Sequence, residues 1–155
     1  PYHSNLGKRL VKSPKVYLRD SGLLHALLGI EDDEALQSNP AAGASWEGWA
    51  LEQTLAAVPA TWRPFFYRTA SGTEVDLILD RPGASASSAT GKGPIAVEFK
   101  YSSAPQLTAG FWNGIRDLEL SRAYVVAPVR ESYPLKEDVT VLPVHDLAAL
   151  QEMAS

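Results

Sequence analysis

Two stretches decide the fold: Pro94-Ile-Ala-Val-Glu-Phe-Lys-Tyr101 and Thr73-Glu-Val-Asp-Leu-Ile-Leu79. Both are apolar runs of strand length that charged residues interrupt at alternate positions. Residues two apart in a strand share a face, so Glu98 and Lys100 point the same way. Asp76 lies in the second run, which we expect to form a neighbouring strand. Burying such charges costs free energy unless they are paired or used. The two runs therefore predict a functional site built on a sheet.

Composition limits the classes of protein that this chain can belong to. It has 155 residues, of which 45% are hydrophobic and 21% charged, as expected of a globular domain with a real core. It contains no cysteine, which excludes disulfides and thiolate chemistry and favours a cytoplasmic protein. No apolar run approaches the roughly 20 residues that span a bilayer, so we expect no membrane partner. The formal charge of −4 excludes a uniformly basic nucleic-acid binder.

The domain organisation is predicted to be simple. We expect residues 1–14 to be an irregular lead-in, the remnant of a link to a missing module, and residues 15–155 to form a single domain. The chain begins with Pro1, and its one methionine is Met153. We therefore expect it to be a piece of a longer protein.

Periodicity and turn signals predict an α/β (α+β) fold with a mixed central β-sheet flanked by helices. The expected elements are a strand at 15–18, helices at 21–28 and 45–57, a hairpin of strands 64–69 and 73–80, a strand at 94–101, a helix at 105–118, strands at 122–127 and 139–142, and a helix at 145–153. The strand–helix–strand step after Glu98 implies at least one parallel pair. We expect Glu31–Glu34 to be a solvated turn and Arg81–Gly93 to be a flexible loop.

The charged residues of the two runs suit metal-assisted phosphodiester hydrolysis. Asp76 and Glu98 on adjacent strands could share a Mg²⁺ ion, which prefers oxygen ligands. Lys100, on the same face, could orient water and stabilise charge on a phosphate. Glu47, from the preceding helix, could complete the site.

Each of these residues also has a purely structural explanation. Glu98 and Lys100 could be a solvated ion pair on an edge strand. Glu47 could be an acid in the first turn of a helix, where the dipole favours it. Arg68 could contact phosphate, but pairing with Glu74 across the hairpin is favoured. Three aromatic residues could stack on nucleic-acid bases, but packing in the core is favoured for all of them: Tyr101, Trp46 and Trp49.

An Asp after a hairpin turn, followed about twenty residues later by Glu-x-Lys on an apolar strand, resembles the core of PD-(D/E)XK nucleases. The resemblance implies a restriction-endonuclease-like core in which Glu47, Asp76, Glu98 and Lys100 are catalytic. It also implies that the three acids among them bind the metal. Val75 stands where the family pattern has a proline.

A closer resemblance covers nearly the whole chain. Four blocks in the right order carry it: Ser13–Leu24, Trp46–Glu52, Tyr67–Asp76 and Ala96–Lys100. They resemble the restriction-endonuclease-like C-terminal domain of unknown function found in prokaryotic predicted AAA+ P-loop ATPases. The resemblance implies a missing N-terminal ATPase module in the same protein. The chain has no Gly-x-x-x-x-Gly-Lys-[Ser/Thr] loop, so we expect no ATP site within it.

Two functions fit these features. The first is a Mg²⁺-dependent, endonuclease-like phosphodiesterase, with DNA rather than RNA as the expected nucleic-acid substrate; the intact acid–acid–lysine set favours it. The second is a non-catalytic module that binds nucleic acid or protein and is coupled to the upstream ATPase. The negative net charge favours the second, because DNA binding rests on several Lys or Arg contacts to phosphate.

Overall fold

The structure is a computed structural model that describes residues 1–2, 10–11, 13–82, 93–120, 122–136 and 138–152. Most of the expected lead-in, residues 83–92 of the expected loop and Met153 lie outside these ranges. The helices of the described part are α1 (Ser21–Leu27), α2 (Asp33–Ser38), α3 (Ala42–Ala57), α4 (Ala109–Asp117) and α5 (Ala149–Glu152). The strands are β1 (Arg63–Arg68), β2 (Glu74–Asp80), β3 (Ile95–Phe99), β4 (Ala123–Val126), β5 (Tyr133–Lys136) and β6 (Val139–Leu142). None of the described helices is long and apolar enough to cross a membrane.

The strands of the described ranges form one mixed sheet in the order β1-β2-β3-β4-β6-β5. The first three strands are antiparallel neighbours, and β3, β4 and β6 run parallel. The predicted hairpin, mixed sheet and parallel pair are therefore confirmed. Every residue of β3 is buried, as expected for a strand covered on both faces. Glu98 consequently lies on a central strand, and its interpretation as a solvated edge residue is wrong.

Two apolar clusters cover the two faces of the sheet. Val97 and Phe99 of β3 belong to the cluster that includes Ala50 of α3. Ala96 belongs to the opposite cluster, which includes Phe111 of α4. The alternation predicted for this strand is confirmed, and burial of these side chains stabilises the position from which Glu98 projects.

The starts of two helices differ from prediction. Helix α3 begins at Ala42, three residues before the predicted start; Ser45 lies inside the helix, where its buried hydroxyl pairs with His25 Nε2 at 2.7 Å. Glu47 consequently lies in the second turn of α3, where the dipole argument for an acid is weak. Helix α4 begins at Ala109, after the predicted start at residue 105, and the Thr108 hydroxyl caps it by accepting a hydrogen bond from the Phe111 amide.

Three further segments differ from prediction in whole or in part. Residues 15–18 form no strand, because their backbone pairs with none of the described strands. Residues 31–34 are exposed, as predicted, but α2 begins within them, because the Asp32 carboxylate accepts a hydrogen bond from the Ala35 amide at 2.8 Å. The helix expected at 145–153 is a turn of 3-10 helix at Val144–Asp146 followed by the short α5.

Strand β5 was not predicted. Its residues alternate between half-buried and exposed, and Pro134 interrupts the apolar pattern. Proline is tolerated at the edge of a sheet because its missing N–H faces no partner there. The edge position of β5 therefore explains the weak signal.

Candidate functional site

The site forms where the pairing of β2 with β3 ends. Leu77 and Val97 are the last registered pair, so Asp76 and Glu98 lie opposite each other just beyond it. The Asp76 amide donates to Glu98 Oε2 at 3.4 Å, and the Phe99 amide donates to Asp76 Oδ2 at 3.2 Å. Each carboxylate therefore accepts a hydrogen bond from a backbone N–H group that would pair with the neighbouring strand in a regular sheet. These hydrogen bonds fix the two acids at one end of the sheet.

A β-bulge directs the Asp76 side chain. The register of β1 and β2 shifts between Phe65 and Tyr67, so Asp76 and its neighbour together face one residue of β1. The inside–outside alternation breaks here, since Val75 and Leu77 are two apart yet belong to opposite apolar clusters. Bulges commonly re-aim a side chain beside a functional site. This one turns Asp76 out of the core.

Glu98 and Lys100 form a partly buried ion pair. Lys100 Nζ lies 2.7 Å from Glu98 Oε1, which confirms that the two share a face. The Glu98 side chain is only 7% exposed. Burial, and secondarily the charge of Asp76, raise the pKa of Glu98 to about 7 against the opposing effect of Lys100. Burial lowers the pKa of Lys100, but its hydrogen bond and charge interaction with Glu98 outweigh this and raise it.

The raised pKa of Glu98 predicts a specific dependence of stability on pH. The folded protein holds the Glu98 proton up to about pH 7, whereas the unfolded chain releases it near 4.5, so the free energy of unfolding falls as pH rises through this window. The Glu98→Gln variant lacks this titration. We expect its stability relative to wild type to rise by about 2 kcal/mol between pH 5 and pH 8, measured by urea denaturation.

The exposed acid Glu34, at the start of α2, supplies the control for this measurement. The stability difference between wild type and Glu34→Gln should change much less between pH 5 and pH 8 than that between wild type and Glu98→Gln. A stability difference between wild type and Glu98→Gln that is the same at pH 5 and pH 8 would contradict the assignment.

Lys15 lies at the centre of the acidic cluster, and sequence reasoning missed it. Its Nζ atom is 2.8 Å from Asp76 Oδ1, 2.8 Å from Glu74 Oε1 and 3.4 Å from Glu47 Oε1. Burial alone lowers the pKa of Lys15, but the charge and hydrogen bond of Asp76, with those of the two glutamates, outweigh burial and raise it. The available sequence signal is that Lys15 and Tyr17, two residues apart, share a face of an extended segment.

Tyr17 and Arg68 fix the two glutamates. The Tyr17 hydroxyl donates to Glu47 Oε1 at 2.6 Å, so one carboxylate oxygen of Glu47 accepts from both Tyr17 and Lys15. Arg68 Nη2 donates to Glu74 Oε1 at 2.8 Å. The predicted pairing of Arg68 with Glu74 is confirmed. Glu74 is more exposed than Asp76 and lies at the rim of the cleft.

The aromatic residues beside the site are less buried than predicted. Tyr101 lies beyond the end of β3 and is 48% exposed, so its assignment to the core is wrong. Its ring centroid is 5.5 Å from that of Trp46, which packs against the core. Trp49 lies at the exposed end of this aromatic row. The row is therefore surface-facing at both ends.

The four residues proposed from sequence converge on one cleft of about 830 Å³: Glu47, Asp76, Glu98 and Lys100. Within the described ranges, no three or more acidic or histidine side chains are arranged as a ready set of metal ligands. The Lys15 ammonium lies among oxygens of three acids, Glu47, Glu74 and Asp76. The donor chemistry itself suits Mg²⁺, since Glu47, Asp76 and Glu98 all offer hard carboxylate oxygens. The arrangement can hold a cation, and Lys15 supplies that cation here.

Comparison with known proteins identifies relatives but no function. An uncharacterized protein of Mycobacterium bovis and one of Mycobacterium tuberculosis are each 40% identical to this chain over 147 residues. The match covers 95% of this chain and 31% of each relative, so the chain spans about a third of the length of these curated proteins. No solved structure matches the chain.

Two family models match different parts of the sequence. Residues 1–34, which include Lys15 and Tyr17, match a domain of unknown function, DUF8612. Residues 42–147, well over half of the chain, match a second domain of unknown function and include the four residues proposed from sequence. The chain therefore belongs to the domain of unknown function family DUF4143.

Proposed function

We propose that this domain is a Mg²⁺-dependent phosphodiesterase acting on DNA. The observation that carries the proposal is the placement of Asp76 and Glu98 opposite each other at the end of β3, with the Lys100 ammonium 2.7 Å from Glu98. A buried carboxylate whose pKa is raised to about 7 beside a second acid is typical of functional sites. The chain order α3, β1, β2, β3, α4, β4 supports a restriction-endonuclease-like core.

Each residue has a distinct role in this proposal. Asp76, Glu98 and Glu47 would hold the metal ion, and Tyr17 positions Glu47 by its 2.6 Å hydrogen bond. Bound Mg²⁺ would supply charge neutralisation at the scissile phosphate. Lys100, held beside Glu98, would orient the attacking water and donate to a phosphate oxygen as negative charge develops there.

The domain would act within a longer protein. The chain matches only 31% of the length of its mycobacterial relatives. We propose that the remainder of such a protein includes an AAA+ ATPase module, as the sequence resemblance implies.

A non-catalytic module is the second candidate, and one observation favours it. Three cationic side chains near the cleft already form ion pairs with acids. Lys15 pairs with Asp76, Arg68 pairs with Glu74, and Lys100 pairs with Glu98. Few positive charges are left for phosphates, and the net charge of −4 adds to the deficit. Such a domain would bind a partner and transmit the state of the ATPase.

Cleavage of labelled double- and single-stranded DNA in Mg²⁺ separates the two candidates. The phosphodiesterase predicts metal-dependent cleavage that Lys100→Met reduces about 10²-fold by removing the donor to the developing charge. Lys136→Met is the matched control, because the Lys136 ammonium lies 4.7 Å from the Trp112 ring centroid and belongs to edge strand β5. Cleavage that is equal in wild type and Lys100→Met would count against the enzyme and leave the binding module.

A further inference from the structure

The segment that carries Lys15 lies over the site without joining the sheet. Lys15 and Tyr17 face inward, whereas Val16 is 86% exposed and Leu18 is 46% exposed. In the described part of the chain, the backbone of residues 13–19 makes no hydrogen bond to a strand. The Tyr17 ring lies beside Gly48 of α3, where an added Cβ would stand 3.7 Å from Tyr17 Cδ1, an ordinary contact distance. Backbone unpaired in this way opens more easily than a strand in a ladder.

Among the described residues, side chains supply the hydrogen bonds that hold residues 13–19, whereas the chain just before them is fixed by its backbone, since the Val11 amide donates to the Arg68 carbonyl oxygen at 2.9 Å. Lys15 and Tyr17 share Glu47, and Arg19 pairs with Glu52 one further turn along α3, at 2.8 Å. The Arg19 side chain is 81% exposed, so that pair contributes little. The Lys15 contacts are the buried ones, with the lysine side chain 14% exposed. Lys15 and Tyr17 therefore supply most of the side-chain interactions that hold this segment over the site.

The Lys15 ammonium lies among acids that would hold a divalent ion in the proposed site. It contacts one oxygen each of Asp76, Glu74 and Glu47 within 3.4 Å. A metal ion bound to Asp76 and Glu47 would sit at roughly 2.1 Å from their oxygens and would face the ammonium at close range. Two like charges in one partly buried cluster repel strongly, so the two cations exclude each other.

We propose that Lys15 is a tethered cation that closes the carboxylate site, and that withdrawal of segment 13–19 opens the site to a divalent metal ion. This inference rests on the proposed function, because it assigns regulation to the same acids. The segment belongs to the part of the chain that matches DUF8612, whereas the acids belong to the DUF4143 match. Movement between these two parts would then switch the site.

Metal binding to purified protein tests the proposal without any assay of activity. Mn²⁺ affinity is measured by electron paramagnetic resonance in wild type, Lys15→Met and Arg19→Met. We expect Lys15→Met to bind Mn²⁺ at least about tenfold more tightly than wild type, because the competing charge is gone. Arg19→Met removes the same charge from the same segment outside the cluster and should match wild type. Adding Asp76→Asn to Lys15→Met should abolish the gain.

A second measurement uses wild type and avoids any folding defect of the variant. Lysine acylation is followed by mass spectrometry with and without saturating Mg²⁺. Release of Lys15 should increase its labelling severalfold, while Lys136 on β5 should not change. Mn²⁺ affinity that is equal in wild type and Lys15→Met, or Lys15 labelling that Mg²⁺ does not alter, would overturn the proposal. If Lys15→Met bound Mn²⁺ tightly but did not cleave DNA, the phosphodiesterase proposal would be contradicted, whereas the proposal that Lys15 closes the site would be supported.

Discussion

Asp76→Asn is expected to reduce Mg²⁺-dependent DNA cleavage about 10²-fold or more, since it removes one metal ligand and its charge. The substitution keeps the shape of the side chain and a carbonyl oxygen that can still accept the Phe99 amide. It removes the charge that Lys15 contacts at 2.8 Å. Because the shape of the side chain and the contact with Phe99 are kept, we expect the fold to be retained and the loss to appear in catalysis.

Asp80→Asn is the matched control for this prediction. Asp80 is the other aspartate of β2, and it pairs with Arg63 on β1 at the far end of the strand. Rates are compared over a range of Mg²⁺ concentrations, with thermal melts to verify folding. Asp76→Asn and Asp80→Asn that cleave DNA equally well would argue against a metal site at Asp76.

Gly114→Leu is expected to destabilise the protein by about 3 kcal/mol. Gly114 lies on the buried face of α4, and a Cβ atom there would stand 2.5 Å from Val75 Cγ2. Val75 is fully buried and directly precedes Asp76, so the clash falls on the strand that positions the site. The overpacking cost outweighs the helix propensity gained, which is only about 1 kcal/mol.

The control replaces a helical glycine that has room. Gly43 lies in the first turn of α3, and a Cβ there meets no atom within 4 Å. Gly43→Leu should therefore stabilise the protein or leave it unchanged, by up to about 1 kcal/mol. Urea denaturation of both variants measures the difference. If Gly114→Leu proved as stable as Gly43→Leu, the close approach of α4 to β2 would be refuted.

The local sequence pattern was enough to predict the strands at the centre of the sheet. The alternation around Glu98 and Lys100 places both charges on one face, and their ion pair in the structure follows from that. The turn Ala70–Gly72 predicts the hairpin that carries Asp76. These features are local, because each depends on neighbours within one or two strands.

The features that escaped prediction depend on distant contacts. Lys15 and Asp76 are 61 positions apart in the sequence. The pattern of residues 13–19 therefore cannot predict that their side chains are in contact. The bulge at Asp76 arises from the register of β1 against β2, which the strand pattern alone does not specify. The contact of buried Ser45 with His25, twenty positions away, is likewise not visible in the local pattern of α3.

The central claim is that Asp76 and Glu98 bind a divalent metal ion. Titration of Mn²⁺ into wild type and Asp76→Asn, followed by electron paramagnetic resonance, tests it most directly. The account predicts one saturable site in wild type and an affinity at least about tenfold weaker in Asp76→Asn. Superimposable binding curves for the two proteins would contradict it.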